Sequence, residues 1–259
     1  DPGRNREDGL PRKRRERSSE VTTTHPVTVP DARPYAWPCI APVPPHRLAL
    51  VIIDMQKDFC APGGYIDSQG VDLAPARATI EPIQRVLAAF RALPGALVIH
   101  TREGHRPQLA DLPVNKQWRS EQVCPGIGNA GPLGRILVRG EPGWEIIPEL
   151  APTPDEIIID KPGKGAFYAT DLDHVLRLQG ITHLVFAGLT TDVCVHTTVR
   201  DANDRGLETL ILRDCTAATE TRHRDAIFSI TEMQGGMFGA TATSEQFLAA
   251  LALSNTLPE

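Results

Sequence analysis

The sequence lacks any pairing of its cysteines. There are five, Cys39, Cys60, Cys124, Cys194 and Cys215, odd in number and scattered, with no CxxC among them. That excludes a disulfide framework and a zinc ribbon and points to a reducing compartment. Long apolar runs are also missing: a stretch such as Leu48 to Ile53 falls far short of the roughly 18 residues that a membrane-spanning helix needs. Positive charge is not in excess either. The formal net charge is −5, so no global field gathers nucleic acid or an anionic membrane, and neither is expected as a partner. No apolar signal segment opens the sequence, which begins at Asp1, and a cytoplasmic location is the expectation. No internal repeat is visible.

What remains is ordinary globular composition, 41% hydrophobic and 23% charged over 259 residues. A chain of this length makes one large α/β domain or two small ones and buries roughly three quarters of its unfolded surface. Residues 1–45 stand apart. They contain the basic cluster PRKRRER (Pro11 to Arg17), a polar Ser/Thr stretch and Pro38, Pro42, Pro44 and Pro45. Such composition buries too little apolar area to order itself, so this part reads as a flexible basic, Pro-rich extension, with Tyr35 to Pro45 along the surface of a domain spanning 46–259. Interleaved Glu7, Asp8, Glu16 and Glu20 make the cluster a solvated tail rather than a polyanion site.

From Leu48 onward, short β-branched runs alternate with amphipathic stretches, the pattern of βαβ units. Strands are expected at Leu48 to Ile53, Ala96 to Thr101, Glu156 to Asp160, His183 to Gly188, Thr209 to Leu212 and Ala240 to Thr243. Helical spacing of Ile83, Val86, Leu87 and Phe90, and of Leu172, Val175 and Leu176, supplies crossovers, as do Val193 to Arg205 and Arg224 to Met233. Thr243 and Gln246 form a capping box before a closing helix. The fold expected is a doubly wound α/β domain: a six-stranded, mainly parallel sheet with helices on both faces, a Rossmann-like three-layer arrangement. The irregular span from Arg102 to Pro154 reads as a substrate-covering insertion.

Ligand crevices in open parallel sheets lie at the carboxyl ends of the strands. Asp54 directly follows the first strand, Lys161 follows EIIID, and Cys194 comes shortly after HLVFAG at the expected start of a helix. All three should meet at one edge. A helix N-terminus and a nearby lysine would both favour a cysteine thiolate, and an aspartate beside it can accept the thiol proton and return it to a leaving amine.

The words carrying these residues, IDMQKDF (Ile53 to Phe59), DKPGKGAF (Asp160 to Phe167) and GLTTDVCV (Gly188 to Val195), resemble the isochorismatase-like cysteine hydrolases, with Lys161 following Asp54 by 107 residues and Cys194 following Lys161 by 33. The resemblance extends from about residue 47 to 253. Within that superfamily, GGYIDSQGVDL, TREGHRPQLADLPVNKQWRS, RGEPGWEIIPEL, TTVRDANDRG and MQGGMFG are most similar to biuret amidohydrolases, which release ammonia from biuret and leave allophanate.

The resemblance implies Cys194 as nucleophile, Asp54 as general base and acid, and Lys161 as the residue that orients them and stabilises the thiolate. It also implies a cis bond between Leu189 and Thr190, an oxyanion hole from the Thr190 and Cys194 amides, and a homotetramer. Its implied substrate contacts are Lys164 and Gln234, with Phe59 and Phe167 as pocket walls; core packing competes for the two phenylalanines and a helix-end cap for Gln234. Arg102, Glu103 and His105 belong either to the pocket rim or to pairs among themselves. Trp144 reads as a loop anchor and His196 as a packing residue.

No cofactor is required. Nicotinamide-hydrolysing members carry an Asp-x-His metal site, whereas Gly63 to Asp72 here has no histidine, so no metal is expected. The substrate expected is a small urea-like molecule; triuret, a ureidoacrylate or an N-carbamoyl compound are the alternatives. A non-catalytic α/β binding module is the alternative of a different class.

Overall fold

The computed structural model describes residues 25–123 and 125–254. Its main sheet has six strands, β1 (Leu48–Ile53), β2 (Leu97–Glu103), β5 (Ile157–Lys161), β6 (His183–Leu189), β7 (Glu208–Ala217) and β8 (Ala240–Ala242), in the order β5-β2-β1-β6-β7-β8. Every pairing in it is parallel. A small antiparallel ribbon, β3 (Ala130–Gly131) with β4 (Gly134–Arg135), lies in the long connection before β5. All six expected strands are present; β7 runs on to Ala217, well past the expected end at Leu212.

The helices are three short segments, α1 (Lys57–Cys60), α2 (Tyr65–Ser68) and α3 (Ala74–Arg77), then α4 (Ile80–Ala92), α5 (Val114–Ser120), α6 (Leu172–Gln179), α7 (His196–Asp204), α8 (Thr221–Gly236) and α9 (Ser244–Ser254). Alternation along β1 divides them between the sheet faces. Leu48, Leu50 and Ile52 pack with Ile83, Val86 and Phe90 of α4 and Phe247 and Leu251 of α9, where Phe90 and Phe247 stack at 5.6 Å. Ala49, Val51 and Ile53 pack with Leu172 and Leu176 of α6, Val199 of α7 and Phe228 of α8. The capping box forms in both directions: the Thr243 amide donates to Gln246 Oε1 and the Gln246 amide to Thr243 Oγ1.

The boundary expected at residue 45 is corrected. Residues 1–24 lie outside the described part, but from Val27 the chain already belongs to the domain. Val27 bridges Val43, Val29 bridges Trp37, and Arg33 bridges Thr241 beside β8. Val27, Val29, Trp37 and Val43 are buried in the first core. Prolines lower helix and strand propensity, but they do not stop widely spaced apolar side chains from covering an exposed sheet face.

Along the sheet, the chain runs outward from β1 through β2 to β5 on one side and through β6 and β7 to β8 on the other. This reversal opens the crevice at the carboxyl ends of β1 and β6. The two strands approach closely there: Gly188 has φ +107° and a Cβ on it would run into the backbone of Ile53. Only glycine allows that approach, and it sets the loops after β1 and β6 side by side.

Candidate active site

Asp54 leaves β1 in the left-handed region, at φ +48°. Its side chain is fully buried, and its Oδ1 accepts a hydrogen bond of 2.6 Å from Thr101 Oγ1 on β2. Lys161, the last residue of β5, is equally buried; its Nζ lies 2.7 Å from Asp54 Oδ2 and donates to the carbonyls of Gly163 and Lys164. Cys194 follows β6 in a π-helical turn, Thr191–Val195, rather than at an α-helix N-terminus, since α7 begins only at His196. The turn is fixed by Thr191 Oγ1 against Thr216 Oγ1 of β7 and by Thr198 Oγ1, which donates to the Cys194 carbonyl. The Leu189–Thr190 bond is cis.

The three residues expected to converge do so, and a fourth stands among them. Glu103, the last residue of β2, is fully buried, and the Cys194 thiol donates to its Oε2 at 3.3 Å. Its Oε1 accepts from Lys116 Nζ of α5 at 2.7 Å and from Lys164 Nζ at 2.9 Å, while Lys161 Nζ lies 3.6 Å from Oε2. Gln56 locks the strand end behind it: the Gln56 side chain donates to the Glu103 carbonyl and accepts from the Glu103 amide.

These neighbours set the protonation states. Burial works against the Glu103 charge, but Lys164, Lys161 and Lys116 outweigh it and hold the carboxyl well below the usual range. Burial, with Glu103 adding to it, pushes Asp54 up against the pull of Lys161. Burial also opposes the Lys161 charge, yet Asp54, Cys194 and Glu103 overcome it and raise the group. For Cys194, burial and then the two carboxylates raise the thiol well above its ordinary value, against Lys161 and Lys164. Burial and the two carboxylates thus work against the thiolate expected from a helix dipole, and the sulfur sits in a π-helical turn rather than at an α-helix N-terminus.

Among the described residues, the ligand atoms of Asp54, Glu103 and Cys194 form a cluster within 4.8 Å that could be considered for a metal ion. The donor set does not fit one. Its two carboxylates are already matched by three ammonium groups, Lys116, Lys161 and Lys164, so a cation would enter a site of excess positive charge.

A cavity of about 200 Å³ opens over Cys194, lined also by Phe59, Lys164 and Thr190 as expected, and by Tyr65, Ile66 and Gln69. Glu103, Asp192, Val193 and Thr219 complete its lining. Two expected contacts are not brought here. Phe167 packs in the second core under the Arg205 guanidinium, 4.4 Å from its ring centroid. Gln234 sits where α8 kinks, at φ +53°, with an exposed side chain, because Gln234 and Gly235 both turn left-handed and end the helix.

Of the span expected as a covering insertion, Arg102 to Pro154, Glu103 at the end of β2 lines the cavity, while the cover comes from α2. The insertion instead lies behind the site and supplies Lys116. Of the undecided residues, Arg102 pairs with Asp160 at 2.8 Å and stacks over Trp144, which is the loop anchor expected. His105 is buried 3.5 Å from Asp111. His196 packs edge-on against Phe238. Gln69 went unnoticed as a contact, although the word GGYIDSQG carried it.

The fold is an open, all-parallel α/β sheet with a buried Asp, Lys and Cys brought together beside its switch point. The isochorismatase domain family matches residues 48–246, and the chain belongs to that family of hydrolases. Solved structures agree. A cysteine hydrolase from Pseudomonas syringae pv. phaseolicola is 27% identical with a TM-score of 0.68, covering 83% of this chain and 96% of its own. N-carbamoylsarcosine amidase from Thermoplasma acidophilum is 28% identical with a TM-score of 0.58, covering 77% and 97%. Nicotinamidase PncA from Bacillus subtilis is 25% identical with a TM-score of 0.59, covering 76% and 99%. Among the described residues, no helix is long and apolar enough to cross a membrane.

Proposed function

We propose that the protein is an amidohydrolase that cleaves biuret to allophanate and ammonia through a thioester on Cys194. The observation that carries this reading is the meeting of Cys194, which lines one small cavity, with the buried Asp54–Lys161 pair, 2.7 Å apart, behind it. Asp54, pushed up by burial, is the group suited to take the thiol proton. The thiolate then attacks a terminal carbonyl carbon, and the amides of Thr190 and Cys194 face the oxyanion, where loss of one donor typically costs about 10²-fold or more. Collapse breaks the C–N bond as Asp54 returns its proton to the leaving ammonia. Water, deprotonated by Asp54, hydrolyses the acyl-enzyme to allophanate and restores the thiol. No step calls for a metal or organic cofactor.

The cavity volume suits a flat molecule of a few heavy atoms, and Lys164, Gln69 and Tyr65 supply polar groups beside the wall of Phe59. Gln234, exposed at the kink of α8, does not line this cavity. A second reading, cleavage of an N-carbamoyl compound, is supported by the likeness to N-carbamoylsarcosine amidase. The homotetramer expected above is tested by light scattering.

Ammonia release from biuret, triuret, a ureidoacrylate, N-carbamoylsarcosine and nicotinamide decides between these readings, with Cys194→Ala alongside. Biuret turnover that vanishes in Cys194→Ala supports the proposal. Turnover of another member alone replaces the substrate, and turnover retained by Cys194→Ala removes the nucleophile.

A further inference from the structure

We propose that Glu103 is a positioning residue of the cysteine centre: Lys116 and Lys164 pin its Oε1 so that Oε2 takes the Cys194 S–H and holds the sulfur in place as a thiol until substrate enters. This deepens the reading of Cys194 as nucleophile and rests on it.

The two carboxylates near the sulfur are not equivalent. Asp54 has one ammonium partner, Lys161, and shares its other oxygen with a neutral hydroxyl. Glu103 has two ammonium groups on Oε1 at 2.7 and 2.9 Å and a third 3.6 Å from Oε2. Protonating Glu103 would take the carboxylate partner from Lys116 and Lys164, whereas Lys161 keeps Asp54, so Glu103 stays ionised and serves as a fixed acceptor. Asp54 is the carboxylate free to change its proton. Both lie within 4.8 Å of the sulfur, so the proton passes to Asp54 once the S–H turns away from Glu103 and the sulfur closes on the Asp54 carboxylate. The S–H bond breaks, an O–H bond forms on Asp54, and the charge returns to sulfur.

The charge count supports the same division. Three ammonium groups face two carboxylates, and moving the thiol proton to Asp54 keeps that count, the Cys194 thiolate taking the place of the Asp54 carboxylate as the second anion. The charged groups facing the sulfur are Asp54 after β1, Glu103 on β2, Lys161 on β5 and Lys164 in the following turn. Asp192 of the π-helical turn lines the same cavity, and Lys116 and His105 lie on the far side of Glu103.

The experiment is iodoacetamide alkylation of Cys194 in the full chain, followed at that peptide by mass spectrometry from about pH 6 to pH 10. In Glu103→Gln a negative charge beside the sulfur is removed. Alkylation at neutral pH should become about three- to tenfold faster, the range following from a one-unit fall in thiol pKa partly offset by weaker nucleophilicity. Ammonia release should nevertheless fall by about tenfold or more, as the sulfur and Lys164 lose their anchor. Lys116→Met removes a positive charge and should slow alkylation. Opposite signs mark electrostatic positioning, because general loosening would speed both variants.

Glu103→Gln protein that is folded by circular dichroism yet alkylates no faster than wild type overturns the proposal. If that variant does not fold, Lys116→Met decides, and unchanged or faster alkylation overturns it. These readouts need no substrate, so they remain interpretable if Cys194→Ala keeps its turnover and the functional reading fails.

Discussion

Replacing Lys161 by methionine tests how the site is held together. The side chain is fully buried, with its Nζ 2.7 Å from Asp54 Oδ2, a separation at which unit charges attract by about 6 kcal/mol at an effective dielectric near 20. Desolvation of both ions cancels part of this, and removing one partner of a buried pair typically costs roughly 3–5 kcal/mol because the other charge is stranded. Methionine fills the stem's volume but offers no donor to Asp54 or to the carbonyls of Gly163 and Lys164. In a domain of this size each kcal/mol moves the midpoint by roughly 2–4 °C, so Tm should fall by about 10–15 °C.

Asp54→Asn on the same background removes the stranded charge and should recover at least half of the loss. The pH dependence has a definite sign. In Lys161→Met, the Asp54 carboxyl titrates higher in the folded than in the unfolded chain, so the folded protein binds more protons and the variant gains stability as pH falls. Urea titrations of wild type, the single variants and the double variant at about pH 5 and pH 8 read the whole cycle. A Lys161→Met variant losing under about 1 kcal/mol, or a double variant no more stable than the single, refutes this account.

Two further outcomes follow from burial elsewhere. Trp37→Ala should cost roughly 3–5 kcal/mol in urea titrations, since the ring is fully buried and packs edge-on against His183 at 5.6 Å; a loss near zero would return residues 25–45 to the status of a surface strap. Burial, aided by nearby arginines, pushes His183 and His196 down from 6.5 to about 4, so the unfolded chain binds more protons in that window. Stability should then fall as pH drops from about 6.5 to 4, and His183→Gln should flatten the curve. A Tm that does not change across that range contradicts it.

The fold was legible because its signals are local. A β1 of six apolar residues bounded by Asp54 reads the same in the sequence and in the structure. The helical spacing of α4 and the Thr243–Gln246 capping box likewise need only neighbours along the chain. Asp54, Lys161 and Cys194 could be placed together because strand ends in a parallel sheet share an edge, whatever the order of strands.

The charge balance was not legible, since it depends on which side chains from distant elements meet. Glu103 reads as a pocket-rim residue or a partner of its neighbours until the order β5-β2-β1-β6 sets its strand between those of Asp54 and Lys161. Lys116 enters from an insertion with no regular pattern to place it. Phe167 and Gln234 carry the right residue types, but the Phe167 ring faces the second core and the left-handed turn at the end of α8 leaves Gln234 exposed.

By itself, then, the sequence determined the alternation of strands and helices and the identities of the reactive groups, both consequences of local periodicity and residue chemistry. Tertiary structure alone decided that the Cys194 sulfur meets Glu103 in a desolvated cluster of charges, because desolvation and the sum of nearby charges exist only once the strands are side by side.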